Sequence, residues 1–202
     1  MAPSRMPREP TETRIRRAAA AEFARHGVAG ARVERIARRA HANKERLYHY
    51  VGGKEALFAA ALEDAMREIA GAEPFAAGDL GAYVAAMLEF HRRHPHLVQL
   101  LLAEGRHRRG RELAHAEQRR AHYAHRVAAV RAAQAAGAVR GDVDARIVVY
   151  AVLALVVAAE ALPGLTELIL AADPEREPLS EAQLRAGLRR LLDRLVAPPA
   201  PR

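Results

Sequence analysis

Lysine and arginine side chains are concentrated in one short segment, between residues 32 and 54. Seven cations stand there against two glutamates (Arg32, Arg35, Arg38, Arg39, Lys44, Arg46 and Lys54; Glu34 and Glu45). Ammonium and guanidinium groups bind phosphate, and they also donate hydrogen bonds to guanine edges in the major groove of DNA. The segment is therefore a candidate for binding nucleic acid, although a solvated basic surface explains the charge alone equally well.

Two short helices are predicted to position these cations. The first has an apolar face with helical spacing (Val33, Ile36, Ala37 and Ala40). Residues 41–43 interrupt that pattern, and Leu47 and Tyr50 are the apolar members of the helix that follows. A helix held by two inward residues, with cations and hydroxyls on its other sides, is shaped to enter a groove of DNA. The segment is therefore predicted to be a helix-turn-helix.

The order of residues around this segment resembles the DNA-binding domain of the TetR family of transcriptional regulators. The matching positions have fixed offsets (Ile15, Ala18, Ala19, Phe23 and Gly27; Ile36, Ala37 and Ala40; Leu47-Tyr48-His49-Tyr50; Lys54-Glu55-Ala56-Leu57). The resemblance covers residues 11–62. The remainder of the chain is similar to the family only in its length and helical character, so it does not indicate a ligand.

The resemblance implies a role for each polar residue of the predicted reading helix. Tyr48 and His49 match the family's phosphate-contacting pair, and Lys54 matches a lysine that faces phosphate at the start of the fourth helix. The other candidates for contact with DNA are Arg32, Lys44, Arg46 and Tyr50. Lys44 and Arg46 suit guanine edges, whereas the Tyr50 ring is expected to point inward with its hydroxyl toward phosphate.

The chain departs from the family pattern at several positions. Ala31 replaces a threonine that caps the second helix and contacts phosphate, which leaves Arg32 to supply that contact. His41 replaces the usual glycine of the turn, and histidine tolerates a left-handed backbone better than most residues. Asn43 replaces a serine and should cap the third helix equally well. Arg46 and Val51 replace a small residue and an aromatic residue. We expect an unusual operator sequence.

Composition favours an all-α fold. Half of the 202 residues are hydrophobic, mostly Ala, Leu and Val, and runs that alternate with period two are few. The predicted architecture has about nine helices. A disordered arm (1–10), a helix-turn-helix domain (11–53) and a connecting helix (54–72) precede a helical ligand-binding and dimerisation domain (73–197) and a disordered tail (198–202).

Glycines and capping residues predict several helix limits. The first helix should end at Gly27, a short apolar helix should cover 96–103, and a long helix should cover 111–136. The predicted N-terminal caps are Asp79, Asp142 or Asp144, and a capping box of Ser180 with Gln183.

Two apolar helices near the C-terminus are candidates for a dimer interface. The first follows Asp144, and the last carries a leucine stripe. We expect a homodimer through these last two long helices, because two reading helices on a twofold axis recognise a palindrome. The candidates for lining a small-molecule pocket are apolar or aromatic (Tyr83, Met87, Phe90, His94 and Tyr123). For each of these, a plain core position is an equally good interpretation.

Other classes of protein fit the sequence less well. Cysteine is absent, which excludes disulfides and thiolate metal sites, and the ten histidines form no obvious metal-binding set. Serine occurs only at positions 4 and 180, so no catalytic nucleophile is apparent. We expect no enzyme activity, no metal and no cofactor. The longest apolar run, 147–159, is shorter than a membrane span, and a cytoplasmic location is the default.

The sequence therefore predicts a homodimeric transcriptional repressor that binds a palindromic operator in double-stranded DNA and is released by a small-molecule effector. Two alternatives stay open at this point. One is a dimeric DNA-binding regulator that responds to no ligand. The other is a helical small-molecule-binding protein that no longer binds DNA.

Overall fold

The computed structural model describes residues 9–72 and 74–198, and within them it contains ten α-helices and no strand. The helices are α1 (Thr11–Gly30), α2 (Val33–Arg39), α3 (Lys44–Val51), α4 (Lys54–Ala72), α5 (Leu80–Arg93), α6 (Pro95–His107), α7 (Ala116–Ala135), α8 (Ala145–Ala161), α9 (Pro163–Leu170) and α10 (Glu181–Val196). The predicted all-α fold is confirmed, with one helix more than the nine expected. Most of the predicted arm and most of the tail lie outside the described residues.

The chain forms two compact units. The N-terminal unit comprises Met1–Glu68 and Gln99–Ala114, and the C-terminal unit comprises Ile69–Val98 and His115–Arg202. Helices α4 and α6 each contribute residues to both units. The domain limits expected from the sequence stay predictions.

The core of the N-terminal unit is built from α1 to α4. Its buried side chains include those predicted to hold the helix-turn-helix together (Ile15, Phe23, Val33, Ile36, Ala37, Ala40 and Leu47). The Phe23 and Phe58 rings meet edge to face with centroids 5.0 Å apart. Arg16 ties α1 to α4, because its Nε and Nη2 donate to the two carboxylate oxygens of Asp64 at 2.6 and 2.7 Å.

Gly27 interrupts α1 where the sequence predicted its end. Its backbone is left-handed, with φ 64°, and the helical residues that follow continue only to Gly30. Ala31 donates its N–H to the Gly27 carbonyl at 3.1 Å, which closes this turn. The glycine thereby redirects the chain from α1 into α2.

The core of the C-terminal unit lies among α5, α7, α8 and α10. It consists mainly of aliphatic side chains (Leu80, Val84, Met87, Leu88, Val130, Val148, Val149, Val152, Val156 and Leu192). The predicted caps are confirmed: Asp79 and Asp144 accept backbone N–H bonds at the starts of α5 and α8, and Ser180 with Gln183 forms a capping box on α10.

Two helix boundaries were predicted wrongly. The long helix was expected to begin at Arg111, but α7 begins at Ala116 after His115, which has a left-handed φ of 54°. The buried carboxylate of Glu104 accepts the Ala114 N–H at 2.8 Å and holds the preceding segment as a turn. Helix α6 also continues to His107, four residues beyond its predicted end.

Gly81 allows a close approach of α5 to α10. A Cβ at this position would lie 2.7 Å from Asp193 Cγ and 3.0 Å from the Arg189 carbonyl oxygen. We predict that Gly81→Ala destabilises the protein by about 1–3 kcal/mol in urea unfolding, despite the better helix propensity of alanine. Gly105→Ala in α6 is the matched control, because a Cβ there meets nothing within 4 Å. This control should stabilise by about 0.5–1 kcal/mol, and equal effects of the two substitutions would contradict the close packing.

Candidate nucleic-acid interface

Helix α3 is anchored by Leu47 and exposes its polar side chains. Leu47 is fully buried, whereas Tyr48 is 45% exposed, and Lys44 and His49 are also exposed. The side chains of Arg46 and Tyr50, both predicted to contact DNA, lie outside the described residues. An eight-residue helix is not stable alone in water, so its packing through Leu47 decides which side chains face solvent.

The turn between α2 and α3 has the geometry expected for it. His41 adopts φ 50°, which confirms that histidine occupies the left-handed position in place of glycine. The Ala42 N–H donates to the Ala37 carbonyl at 3.0 Å, and the Leu47 N–H donates to the Asn43 carbonyl at 3.2 Å. The turn therefore brings α3 back against α1 without a glycine.

A buried carboxylate on α1 supports the start of α2. Glu22 is 6% exposed and accepts the Arg32 N–H at 3.0 Å and Arg35 Nε at 2.7 Å. Burial raises the pKa of Glu22, but the hydrogen bonds from Arg35 and from the Arg32 N–H outweigh burial and hold this pKa below its usual value. Glu22 thus holds the N-cap residue Arg32 in place from another helix, although no side chain caps α2 itself in the described part of the chain.

Sequence reasoning missed Glu22, although a signal for it was present. It stands among Ala18, Ala19 and Phe23 on the inward face of α1, where a carboxylate requires a partner. Its partner Arg35 also donates to the Gly30 carbonyl at 2.8 Å. Arg35 is therefore a structural cation that fixes the α1–α2 corner.

Two of the predicted contact residues are held by acceptors within the N-terminal unit. Lys44 Nζ lies 2.7 Å from Glu34 Oε1, and both side chains are more than half exposed. Lys54 Nζ donates to the Ala29 carbonyl at 3.2 Å. Arg32 is exposed at the N-terminal end of α2. Any group of DNA that binds Lys44 must therefore compete with Glu34.

Four of the five predicted pocket residues belong to the core of the C-terminal unit or pack against it, and the fifth, His94, contacts Phe90. Tyr83 and Met87 are buried in this core, and Phe90 and Tyr123 pack against it half-buried. The His94 ring is tilted against the Phe90 ring with centroids 4.5 Å apart. None of the five lines the groove of about 330 Å³ beside α9 or the apolar groove of about 130 Å³ between α8 and α10.

Across the described ranges, no three or more His, Asp or Glu side chains are placed to hold a metal ion. In the same part of the chain, no single helix is long and apolar enough to cross a membrane. Helices α8 and α9 reach the required length and composition only as a pair, and they are bent by 93°.

An all-α chain with an exposed cationic helix on a helix-turn-helix is a DNA-binding protein of the transcription-regulator class. Residues 15–61 match the family described as bacterial regulatory proteins, tetR family, and residues 79–194 match the tetracyclin repressor-like C-terminal domain. A curated relative, the HTH-type transcriptional repressor SCO4008 of Streptomyces coelicolor, is 37% identical over 92% of this chain and 97% of that protein. The chain belongs to the TetR family of DNA-binding transcriptional regulators.

Solved structures agree with this assignment. The transcriptional regulator SCO4942 from Streptomyces coelicolor aligns with a TM-score of 0.80 and 30% identity, over 94% of this chain and all of that one. Salmonella enterica GusR aligns with a TM-score of 0.65 and 25% identity, over 94% and 97% of the two chains. Regulators of this family bind DNA operators and act as dimers.

We predict that Glu22→Ala destabilises the protein by about 2–3 kcal/mol in urea unfolding, because the substitution leaves the Arg35 guanidinium and the Arg32 N–H without their acceptor. Glu9→Ala is the control: it breaks the ion pair with Arg17, which is 71% exposed, and should cost less than about 1 kcal/mol. Equal costs for the two variants would show that the carboxylate does not hold the α1–α2 corner.

Proposed function

We propose that this regulator is a homodimeric repressor that binds a palindromic operator and leaves it when a small molecule binds the C-terminal unit. The main observation in support of this proposal is that α3 exposes Lys44 and Tyr48 to solvent while its Leu47 is fully buried. Two such helices about 34 Å apart would enter successive major grooves.

The names of two relatives support repression as the sign of control. SCO4008 is a transcriptional repressor, and so is NicS of Pseudomonas putida, which is 33% identical over 48% of this chain and 49% of that protein. Both names describe regulators. We therefore infer a regulatory role without catalysis, in the cytoplasm, where operator DNA is found.

The contacts with DNA divide into two kinds. We assign Tyr48, His49 and Lys54, with Arg32 and the Tyr50 hydroxyl, to phosphate, and Lys44 and Arg46 to base edges. Lys54 supports this division because it is the first residue of α4, where the helix dipole also attracts phosphate. Lys44 must leave Glu34 when it binds a base edge, and because both side chains are more than half exposed, breaking this ion pair costs little.

We predict that Tyr48→Ala and Lys54→Ala weaken binding on every DNA sequence, whereas Arg46→Ala mainly relaxes base preference, because phosphate contacts position the protein and base contacts specify the sequence. Fluorescence anisotropy with DNA from upstream of the protein's own gene, and with single-base variants of it, measures both effects. Binding by the Lys54 variant should also depend less on salt: the negative slope of log K against log salt should become shallower by about 0.9.

Arg176→Ala, in the exposed loop before α10, is the control and should bind DNA as the unaltered protein does. If Arg46→Ala and Lys54→Ala change affinity and base preference in the same way, the division between the two kinds of contact is wrong. If the unaltered protein shows no preference for any sequence, the operator proposal fails.

The surface of α8 and α10 supports dimerisation through these helices. Large apolar side chains on both are about half exposed or more (Ile147 and Tyr150; Leu191 and Leu195). The apolar groove between the two helices continues this surface. An exposed apolar patch of this kind is typical of a subunit interface.

We predict that Tyr150→Glu shifts the protein from dimer to monomer in size-exclusion chromatography with light scattering, because Tyr150 is 73% exposed in the single chain and a carboxylate in its place would be buried unpaired in the dimer. Glu175→Lys, in the exposed loop after α9, should stay dimeric. A dimeric Tyr150→Glu variant would place the interface elsewhere.

A regulator without a ligand is the second candidate function. The burial of Tyr83 and Met87 in the core favours it, because a filled core leaves less room for an effector. Loss of DNA binding has less support. The turn at His41 is intact, and Glu22 holds the backbone N–H of Arg32 at the start of α2.

A further inference from the structure

The inward face of α7 carries positive charge. Its buried and half-buried positions include Arg119, His122 and Arg126, followed by Val127 and Val130, whereas the helix's one acidic residue, Glu117, is exposed. The buried side chains that α5, α8 and α10 contribute to the same core include no carboxylate. Among the described residues, the buried positions of these three helices therefore supply no carboxylate to Arg126.

Arg126 is the most deeply buried of these cations. It is 7% exposed, and its Cζ lies 5.2 Å from the Phe75 ring centroid and 5.5 Å from that of Tyr83. The two rings meet edge to face with centroids 5.0 Å apart, so they form an aromatic corner around the guanidinium. Arg126 Nε is buried and has no hydrogen-bond acceptor among the residues that the structure describes.

An aromatic corner offsets only part of what burial costs this group. A guanidinium loses its water on burial and is normally compensated by a carboxylate and by acceptors for its N–H groups. Cation–π attraction returns some of that free energy but accepts no N–H bond in the plane of the guanidinium. Arg126 therefore has a buried N–H group without an acceptor among the described residues, inside an apolar core.

The surroundings of Arg126 also favour an anion. Burial and the charges of Arg126 and His125 lower the pKa of His122, one turn before Arg126 on α7. Burial is the larger cause of this shift, and the charges of Arg126 and His125 add to it by disfavouring a further cation beside them. Because the guanidinium presents two parallel N–H groups, a carboxylate fits it with two hydrogen bonds.

We propose that Arg126 anchors an anion-binding site in the C-terminal unit, whose ligand is a small molecule with one carboxylate and an apolar, ring-containing body. The carboxylate would accept from Arg126, and the body would lie against Phe75 and Tyr83. The ligand's role as an effector rests on the proposed function, whereas the binding of the ligand to Arg126 does not. The competing assignment is an internal partner, Glu73, which precedes Phe75 by two positions and lies outside the described residues.

The test uses three probes of one shape and different charge: benzoate, benzamide and benzamidine. Each is added to the full-length protein at equal ionic strength, and thermal unfolding and isothermal titration calorimetry are recorded. Benzoate should raise Tm, and benzamide and benzamidine should not. Arg126→Met should weaken benzoate binding at least tenfold, whereas Arg131→Met, at an exposed position of the same helix, should leave it unchanged. Equal shifts with all three probes, or none with benzoate, would overturn the proposal.

The unfolding temperatures of the variants without a ligand distinguish a ligand-binding role of Arg126 from an internal ion pair with Glu73. If the guanidinium is held for a ligand, Arg126→Met should unfold at the same temperature as the unaltered protein or higher, because a costly buried charge is removed. If Glu73 neutralises it, Arg126→Met and Glu73→Gln should both lower Tm, and that result would refute the ligand site. Arg126→Lys keeps the positive charge but loses the two parallel N–H groups, so this variant should bind benzoate more weakly than the unaltered protein.

Operator DNA distinguishes failure of this site from failure of the proposed function. Arg126→Met should bind the operator as the unaltered protein does and should no longer be released by benzoate. Benzoate that binds without releasing DNA would keep the site but remove its role as an effector site. Benzoate binding by a protein that recognises no operator would refute the repressor proposal alone.

Discussion

The burial of Leu47 is the constraint on which the DNA-reading surface depends. Helix α3 has only eight residues, too few to be stable by itself, so its orientation comes from packing against α1 and α2. With Leu47 fully buried, the side chains of Lys44, Tyr48 and His49 face outward. The exposure of these polar side chains is therefore a consequence of an apolar contact, and the small residues Ala37 and Ala40 leave room for that contact.

The charges of the N-terminal unit serve two different purposes. Arg35 and Arg16 are committed to carboxylates of the same unit, and they hold α2 and α4 against α1. Lys44 stays on the surface, paired with the exposed Glu34. Net charge alone would count these residues alike, whereas their burial separates the cations that build the domain from those that remain available to DNA.

The C-terminal unit also contains buried residues that differ from the rest of its core. Most of its interior is aliphatic, as expected for a helical bundle, yet Arg126 and His91 are buried in it. Burial lowers the pKa of His91 to about 4, with a smaller contribution from the charge of His94, so His91 is neutral at physiological pH. Arg126 cannot lose its charge in this way, so it is the residue of this core that most requires a partner.

The sequence by itself determined whatever depends on neighbours within a few positions. The helix-turn-helix pattern, the left-handed turn at His41, the break at Gly27 and the Ser180–Gln183 capping box were all predicted from short windows, because helical periodicity and caps act over three or four residues. Tertiary structure alone decided the partners that stand far apart in the chain. Glu22 meets Arg35 across a corner, Glu104 delays the start of α7, and Arg126 reaches Phe75 from more than fifty positions away. Their side chains gain partners only when packing excludes water from them, and no local pattern records which helices will meet.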